Sequence, residues 1–591
     1  MTAIAVTGET RRIVDSGDER IAVYEQGNAD VPTVVLVHGW PDSHVLWDGV
    51  VPLLAERFRV IRYDNRGVGG SSVPKPVAAY QMARFADDFT AVIDAVSPDR
   101  PVHVLAHDWG SVAVWEYLGR TGARDRVASF TSVSGPSTDH LGSYVLDNLK
   151  RPYRPKLFAR ALSQALRLSY QIGFSVPVLA PLAVRAFGAG FIRHLLASDG
   201  IPASRIHHSG TFVTDAVNCL KVYPANYFRA VSKARRDHYV DVPVQLIVNT
   251  NDGYVRPYGY DDTSRWVSRL WRRDIKAGHW SPMSHPQVLA SATAELAGFV
   301  DGGPAGRALL RAEVGRPREH FGDTLVSVTG AGSGIGRETA LAFAREGAEL
   351  IVSDIDEASV KDTAEQIVAR GAVAHAYTLD VADADAVEAF AEQVCAEHGV
   401  PDIIVNNAGI GHAGSFLDTP AEQFDRVLDI NLGGVVNGCR AFARRLVERG
   451  TGGYIVNVAS MAAYAPFQAM NAYCTSKAAV YMFSDCLRAE LDAAGIMLTT
   501  ICPGVINTNI VHTTHFDAPP DKSGLVDGRR EQLEKLFAAR RYGPDKVAKA
   551  IVSSVKKNKP IRPVAPEAYL LYGTSRLLPQ ALRSTARGRV M

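Results

Sequence analysis

The sequence is poor in cysteine. It has six in 591 residues (Cys219, Cys395, Cys439, Cys474, Cys486 and Cys502), and none stands in a CxxC spacing. That scarcity excludes a disulfide framework and a structural zinc cluster, so a reducing, cytoplasmic compartment is expected. A secretory signal pattern is also missing, because Met1–Glu9 has no basic start followed by an apolar run. The best membrane-span candidate, Leu168–Val184, is uncharged but short, and Gly173, Pro177 and Pro181 break it. It reads as a buried or interfacial segment. Net charge is nearly absent, with 64 Lys plus Arg against 62 Asp plus Glu leaving +2. That balance conceals segregation. Residues 148–198 hold eight basic residues and no acidic one, and residues 540–591 hold twelve basic and two acidic. No recognition motif accompanies either run, so nucleic acid is not an expected partner.

The chain does have material for more than one core: its hydrophobic content is 47%. Apolar, β-branched runs alternate with helical patterns in both halves, the pattern of parallel sheets and an α/β class. Such runs are Thr33–Val37, Val60–Tyr63 and Val102–Leu105, then Leu325–Thr329, Glu349–Ser353, Ile403–Asn406 and Tyr454–Val458. The halves share no motifs, so the chain reads as a fusion of unlike domains. The expected division is a first domain over 1–302, a Gly/Pro-containing linker over 303–322 and a second domain over 323–591. Basic-apolar sequence from about 136 to 240 interrupts the first domain and is expected to form an inserted helical lid.

In the first half, Val104-Leu-Ala-His-Asp-Trp-Gly-Ser111 ends a strand and opens a helix. Ala106 and Gly110 flank Asp108 at the spacing of a nucleophile elbow, where only small side chains fit the turn. His38-Gly-Trp-Pro41 follows an earlier strand, and Asp252 and then His279 come later in the chain. The order nucleophile, acid, histidine is that of α/β-hydrolases. With HGWP at 38–41 and HDWG at 107–110, this half resembles the epoxide hydrolase branch of that family. The resemblance implies that Asp108 attacks an epoxide carbon while a lid tyrosine, Tyr170 or Tyr227, protonates the leaving oxygen. His279, oriented by Asp252, would then activate water against the resulting ester, with the backbone N–H groups of Trp40 and Trp109 holding the oxyanion. Haloalkane dehalogenases also use an Asp elbow followed by Trp and form the alternative. One branch of them places Asn directly after His-Gly, where this chain has Trp40.

In the second half, strand Leu325–Val328 runs into Thr329-Gly-Ala-Gly-Ser-Gly-Ile-Gly336 and a helix. Gly330 permits the turn, Gly334 the approach of a pyrophosphate and Gly336 close packing of helix on strand. Asp354 ends the next strand, eighteen residues beyond Gly336, where a carboxylate can bind ribose hydroxyls and repel a 2′-phosphate. NAD(H) is therefore preferred, with NADP(H) as the alternative cofactor. Asp380, Asn406-Asn-Ala-Gly409, Asn431, Ser460 and Tyr473-Cys-Thr-Ser-Lys477 follow. Tyr473 and Lys477 share a helix face, and an adjacent cation is expected to lower the phenol's pKa. This half resembles the short-chain dehydrogenase/reductase family, with a Rossmann fold. The resemblance implies Tyr473 as acid/base, Lys477 as ribose anchor, Ser460 orienting substrate and Asn431 supporting a water relay. It places cofactor contacts at Gly330, Ser333, Gly334, Ile335, Gly336, Asp354, Asp380 and Asn407.

The expectation is thus a bifunctional enzyme, resembling actinobacterial fusions of the two families. Its substrates would be a lipophilic epoxide and an alcohol or ketone, and a homo-oligomer is expected through the dehydrogenase domain. The basic lid and the basic C-terminal tail are the candidates for peripheral contact with the inner face of a membrane. The competing reading makes one domain a binding or regulatory module.

Overall fold

The computed structural model describes residues 8–206, 208–232, 235, 237–508, 514–517 and 542–585. The chain divides into two compact units, Met1–Arg316 and Pro317–Met591. The first is built on an eight-stranded sheet: β1 (Thr10–Ser16), β2 (Glu19–Gln26), β3 (Thr33–Val37), β4 (Arg59–Tyr63), β5 (Val102–His107), β6 (Val127–Val133), β7 (Val244–Asn249) and β8 (Leu270–Ile275). Its order is β1-β2-β4-β3-β5-β6-β7-β8. The two leading strands run antiparallel and the rest are parallel. Every residue of β3, β5 and β7 is buried, which is why these strands read as unbroken apolar runs. Six helices are inserted between β6 and β7, including Pro155–Leu168, Tyr170–Phe174, Leu179–Ser198, Phe212–Cys219 and Val222–Ser232.

Two sequence expectations change here. The apolar stretch placed at Leu168–Val184 is split, and the long apolar helix instead runs Leu179–Ser198, with length and composition sufficient to cross a membrane. The expected linker, 303–322, is mostly not a linker. Helix Arg307–Ala312 buries Leu309 and Ala312 against Trp271 and Leu296, and the Val314 N–H donates to the Leu270 carbonyl at 2.8 Å. Two small apolar positions at i and i+3 suffice to seat this turn of helix on the first unit. Phe321, also inside the expected linker, is buried against Phe343 of the second unit.

The second unit has a seven-stranded parallel sheet: β9 (Leu325–Thr329), β10 (Glu349–Asp354), β11 (Ala374–Thr378), β12 (Ile403–Asn406), β14 (Gly453–Val458), β15 (Ile496–Pro503) and β17 (Ile561–Val564). A small sheet pairs β13 (His412–Gly414) with β16 (His515–Asp517). The main order, β11-β10-β9-β12-β14-β15-β17, reverses direction between β9 and β12, which opens a crevice at the carboxyl ends of the strands. The tail helix Pro566–Leu577 packs onto this unit: the Tyr464 hydroxyl donates to the Ala568 carbonyl and Arg576 to the Tyr481 hydroxyl, each at 2.9 Å. Arg587 and Arg589, part of the basic tail, lie outside the described residues.

Candidate active sites

In the first unit β5 ends at His107, and helix Asp108–Leu118 begins without an intervening loop. The turn is so tight that Asp108 takes φ +49°, a left-handed conformation that costs a non-glycine residue energy. Its neighbours must be small. A Cβ on Gly110 would lie 2.2 Å from the His38 carbonyl oxygen, and one on Gly39 would lie 2.5 Å from the Asp108 carboxylate. The Trp40 N–H donates to Asp108 Oδ2 at 2.9 Å, and the Trp109 N–H also bonds this carboxylate. Oδ1 is turned toward His279, whose Nε2 is 3.8 Å away. His279 Nδ1 meets Asp252 Oδ2 at 3.0 Å, and Asp252 Oδ1 accepts the N–H groups of Tyr254 (2.7 Å) and Val255 (3.1 Å). The expected nucleophile, base and orienting acid thus meet at the ends of β5, β7 and β8.

The electrostatics follow from burial and pairing. Burial raises the Asp108 pKa, against the opposing pull of His279 and two backbone donors. Burial would lower His279, but Asp252 outweighs it, with Asp108 and Asp199 adding to the effect, and the imidazole is pushed up to about 9. Burial likewise works to raise Asp252, yet His279 and the two backbone donors hold it below the usual carboxylate range. His279 thus sits between two acids that both favour its protonated form.

Facing the elbow is an aromatic wall, and one of its members was not foreseen. Tyr170 is there, packed edge-on to Tyr254 and Phe174. The phenol packed against the two elbow tryptophans is Tyr223. Tyr223 is 2% exposed, and its ring lies 5.4 Å from Trp40, 5.6 Å from Trp109 and 6.0 Å from Tyr170. Tyr227, one turn further along Val222–Ser232, is half-buried. The two tyrosines lie four apart on one helix. Only where that helix begins decides which one meets the elbow, and sequence spacing does not carry that information. Burial raises the pKa of both Tyr170 and Tyr223, with Asp108 adding to it, so both stay protonated hydrogen-bond donors.

Two further acids were not foreseen. Asp42 is pushed up to about 7 by burial despite a hydrogen bond from the Trp280 indole (3.1 Å). Asp199, just past the lid helix Leu179–Ser198, accepts backbone N–H bonds from the His279–Trp280 turn. Beyond Trp40 and Phe174 an apolar pocket of about 180 Å³ extends between Val184, Phe187, Phe191 and Phe212.

In the second unit Gly330 (φ +64°) and Gly334 (φ +54°) shape the turn after β9. A Cβ on Gly336 would sit 2.0 Å from the Gly330 carbonyl oxygen, so helix Gly334–Ala344 packs directly on the turn. Ser333 is exposed at its N-cap, and Ile335 follows Gly334 in its first turn. Asp354 Oδ2 accepts the Gly332 N–H at 2.8 Å, which holds the acid at the mouth of the glycine loop. Arg337 also lies at this mouth, engaged with the Gly332 carbonyl and Asp362. Asn407, expected as a cofactor contact, braces the turn: its amide donates to the carbonyls of Thr329 (3.0 Å) and Gly330 (3.1 Å). Asp380 is exposed and accepts the Ala382 N–H.

Asn431 is buried in a π-helical turn, where its Oδ1 accepts the Ile410 N–H at 2.8 Å and its amide donates to Ile410 O and Ser476 Oγ. A Cβ on Gly409 would lie 2.9 Å from Asn431 Oδ1 and 3.3 Å from Lys477 Nζ, so the two polar ends meet at that glycine. Ser460 hydrogen-bonds Tyr473, and Lys477 lies below its ring with Nζ 6.0 Å from the centroid. The expected lowering of the Tyr473 pKa is not found. Burial raises it, Ser460 opposes, and the Lys477 ammonium is spent on the Val458 carbonyl at 3.1 Å. Burial draws Lys477 itself down to about 8. The open glycine cradle, the acid at its mouth and the Ser–Tyr–Lys row together fit a nicotinamide dinucleotide. Tyr473 and Ser460 would lie at the reacting carbon, and Lys477 and Asp354 at the ribose hydroxyls.

The alpha/beta hydrolase fold model matches residues 32–286, and the short chain dehydrogenase model matches residues 324–518. The chain is a two-domain enzyme, a fusion of an α/β-hydrolase with a short-chain dehydrogenase. It belongs to the family of the "Probable oxidoreductase EphD" of Mycobacterium tuberculosis, to which it is 72% identical over 590 residues, spanning 99% of this chain and 100% of the relative. The D-threitol dehydrogenase of Mycolicibacterium smegmatis is 37% identical over 226 residues, 38% of this chain and 83% of its own. A solved short chain dehydrogenase/reductase from Burkholderia phymatum, in complex with NAD, is 27% identical with a TM-score of 0.41, and the match covers 45% of this chain and 96% of that one.

Proposed function

We propose that the first unit opens a lipophilic epoxide to a vicinal diol. The observation that carries this reading is a carboxylate at the elbow that accepts two backbone N–H groups, with two protonated phenols across from it. Oδ1 is left to attack an epoxide carbon. As that carbon–oxygen bond breaks, Tyr170 or Tyr223 gives its proton to the departing oxygen. The ester removes the Asp108 charge, one of the anions that hold His279 protonated, so the imidazolium can give up its proton, which returns to the phenolate, and then accept one from water. Water attacks the ester carbonyl, the N–H groups of Trp40 and Trp109 hold the oxyanion, and Asp108 is restored with the diol. The dehalogenase reading is disfavoured because a departing halide needs free N–H donors. The Trp40 indole is bonded to the Ala216 carbonyl, and that of Trp109 to Tyr223.

For the second unit we propose NAD(H)-dependent interconversion of an alcohol and a ketone, with Asp354 favouring NAD(H) over NADP(H). The nicotinamide supplies or accepts the hydride when bound. Tyr473 exchanges the proton of the substrate oxygen, and Ser460 holds that oxygen in place. Covalent joining supports consecutive use of one metabolite, with the diol as the second site's alcohol. Exposed Val447 and Met482, on helices Gly434–Arg449 and Asn471–Leu491, support a homo-oligomer through this unit. All six cysteines are unpaired, in keeping with a reducing, cytoplasmic compartment. The test compares wild type, Asp108→Asn and Tyr473→Phe for diol formation and NAD-linked oxidation. Each variant should lose one activity and keep the other. Retained epoxide opening by Asp108→Asn, with deamidation excluded by mass spectrometry, would refute the nucleophile.

A further inference from the structure

Helix Leu179–Ser198 is apolar on two faces. One stripe, Ala180, Val184, Ile192 and Leu196, is buried against the first unit. The other carries Leu179 (68% exposed), Leu182 (54%), Phe187 (75%) and Phe191 (50%). Leu162 and Leu166 on Pro155–Leu168, and Ile172 and Val178 between the two helices, are exposed as well. A soluble protein rarely leaves so many large apolar side chains on one element in water, and such a face marks a contact.

Charge narrows the occupant. The segment 148–198 has eight cations and no anion. A second copy laid face to face would set these cations against each other. An anionic bilayer satisfies both the charge and the apolar side chains, since a helix lying in the interface buries apolar residues below the headgroups and leaves Arg and Lys among the phosphates. Arg185 and Arg193, both on this helix, are exposed. The buried stripe keeps the helix bound to the protein, so it lies in the membrane plane and does not cross it.

We infer that this lid face docks on an anionic lipid bilayer, and that the apolar pocket between Phe187, Phe191 and Trp40 receives its substrate from the bilayer side. Phe187 and Phe191 belong to both the exposed face and the pocket wall, which makes the pocket mouth continuous with the docking face. The second clause rests on the epoxide reading of the first unit; the docking does not.

The test floats the full-length protein with vesicles of phosphatidylcholine alone or of phosphatidylcholine with one-quarter phosphatidylglycerol. The variants are Leu179→Ser/Leu182→Ser, which leaves the pocket wall untouched, and Arg185→Gln. Wild type should float with the phosphatidylglycerol vesicles and not with phosphatidylcholine alone, and binding should fall as salt shortens the Debye length. The double serine variant should bind about tenfold more weakly, yet hydrolyse a water-soluble epoxide as wild type does, and Arg185→Gln should bind more weakly too. Equal flotation of wild type and the double variant would overturn the docking face. A wild-type dimer that the double variant turns monomeric, by light scattering and without flotation of either, would assign the face to self-association and overturn the lipid proposal. Docking with no epoxide opening by any form would refute the reading of the site and leave the docking standing.

Discussion

Tyr223 offers the sharpest test of the first site, because the sequence favours a different tyrosine. Tyr223→Phe removes one hydroxyl and keeps the ring that packs against Trp40, Trp109 and Phe174, so the fold should survive. On the proposed reading the lost group is a buried donor to an oxygen that gains charge as the epoxide opens. Removing one such donor costs about 3 kcal/mol, or roughly a hundredfold in rate. Tyr170 still donates, so the loss in ester formation is expected nearer tenfold than a thousandfold, and Tyr170→Phe/Tyr223→Phe should lose far more than either alone. Single-turnover quenching with mass spectrometry of the Asp108 ester isolates the opening step from hydrolysis. Tyr227→Phe should stay within about twofold of wild type if Tyr223 is the donor. A collapse of ester formation in Tyr227→Phe with retention in Tyr223→Phe would refute the assignment.

Asp252→Asn should slow ester hydrolysis more than ester formation, so the covalent intermediate should accumulate on Asp108; equal slowing of both steps would count against Asp252 as the orienting acid. The folded His279 pKa stands near 9 against an ordinary 6.5, so its share of stability is complete below pH 6.5 and is lost as pH rises through 9. Melting temperatures of wild type should show that decline, and Asp252→Asn should lack it; parallel profiles would remove the coupling. Gly336→Ala, whose Cβ would meet the Gly330 carbonyl at 2.0 Å, should cost about 1–3 kcal/mol of overpacking and weaken NAD binding in titration calorimetry while diol formation stays intact. Asp354→Asn keeps a hydrogen-bonding oxygen for Gly332 but drops the charge, and should shift the kcat/KM ratio toward NADP(H) by about ten- to a hundredfold; an unchanged ratio would deny Asp354 its role.

Where the site is carried by turns, the sequence was legible. Gly110, Gly330 and Gly336 are demanded by backbone approaches so close that no side chain fits, and Gly334 by its positive φ, so composition reveals the geometry. Asp252 and His279 were legible because chain order after an elbow leaves few choices. The lid was not legible to the same depth. Its residues are placed by where helices begin, and Tyr223 and Tyr227 differ by a single turn. Asp42 and Asp199 escaped notice because their roles come from tertiary contact with Trp280 and the His279 loop, which no local pattern announces. The expected drop in the Tyr473 pKa failed on a related ground. The Tyr–Lys spacing sets a shared face, while burial and the Val458 carbonyl decide what the ammonium does there.

The short helix Arg307–Ala312 bears on how the two enzymes could be separated. A gene cut after residue 302, where glycine and proline suggest a natural joint, would strip Leu309 and Ala312 from their seat and expose Trp271 and Leu296. A cut after Arg316 leaves that seat filled and starts the downstream product before Phe321, which its own core requires. The seam of this fusion is therefore only a few residues wide, and expression as two polypeptides would succeed or fail on fourteen residues that look dispensable.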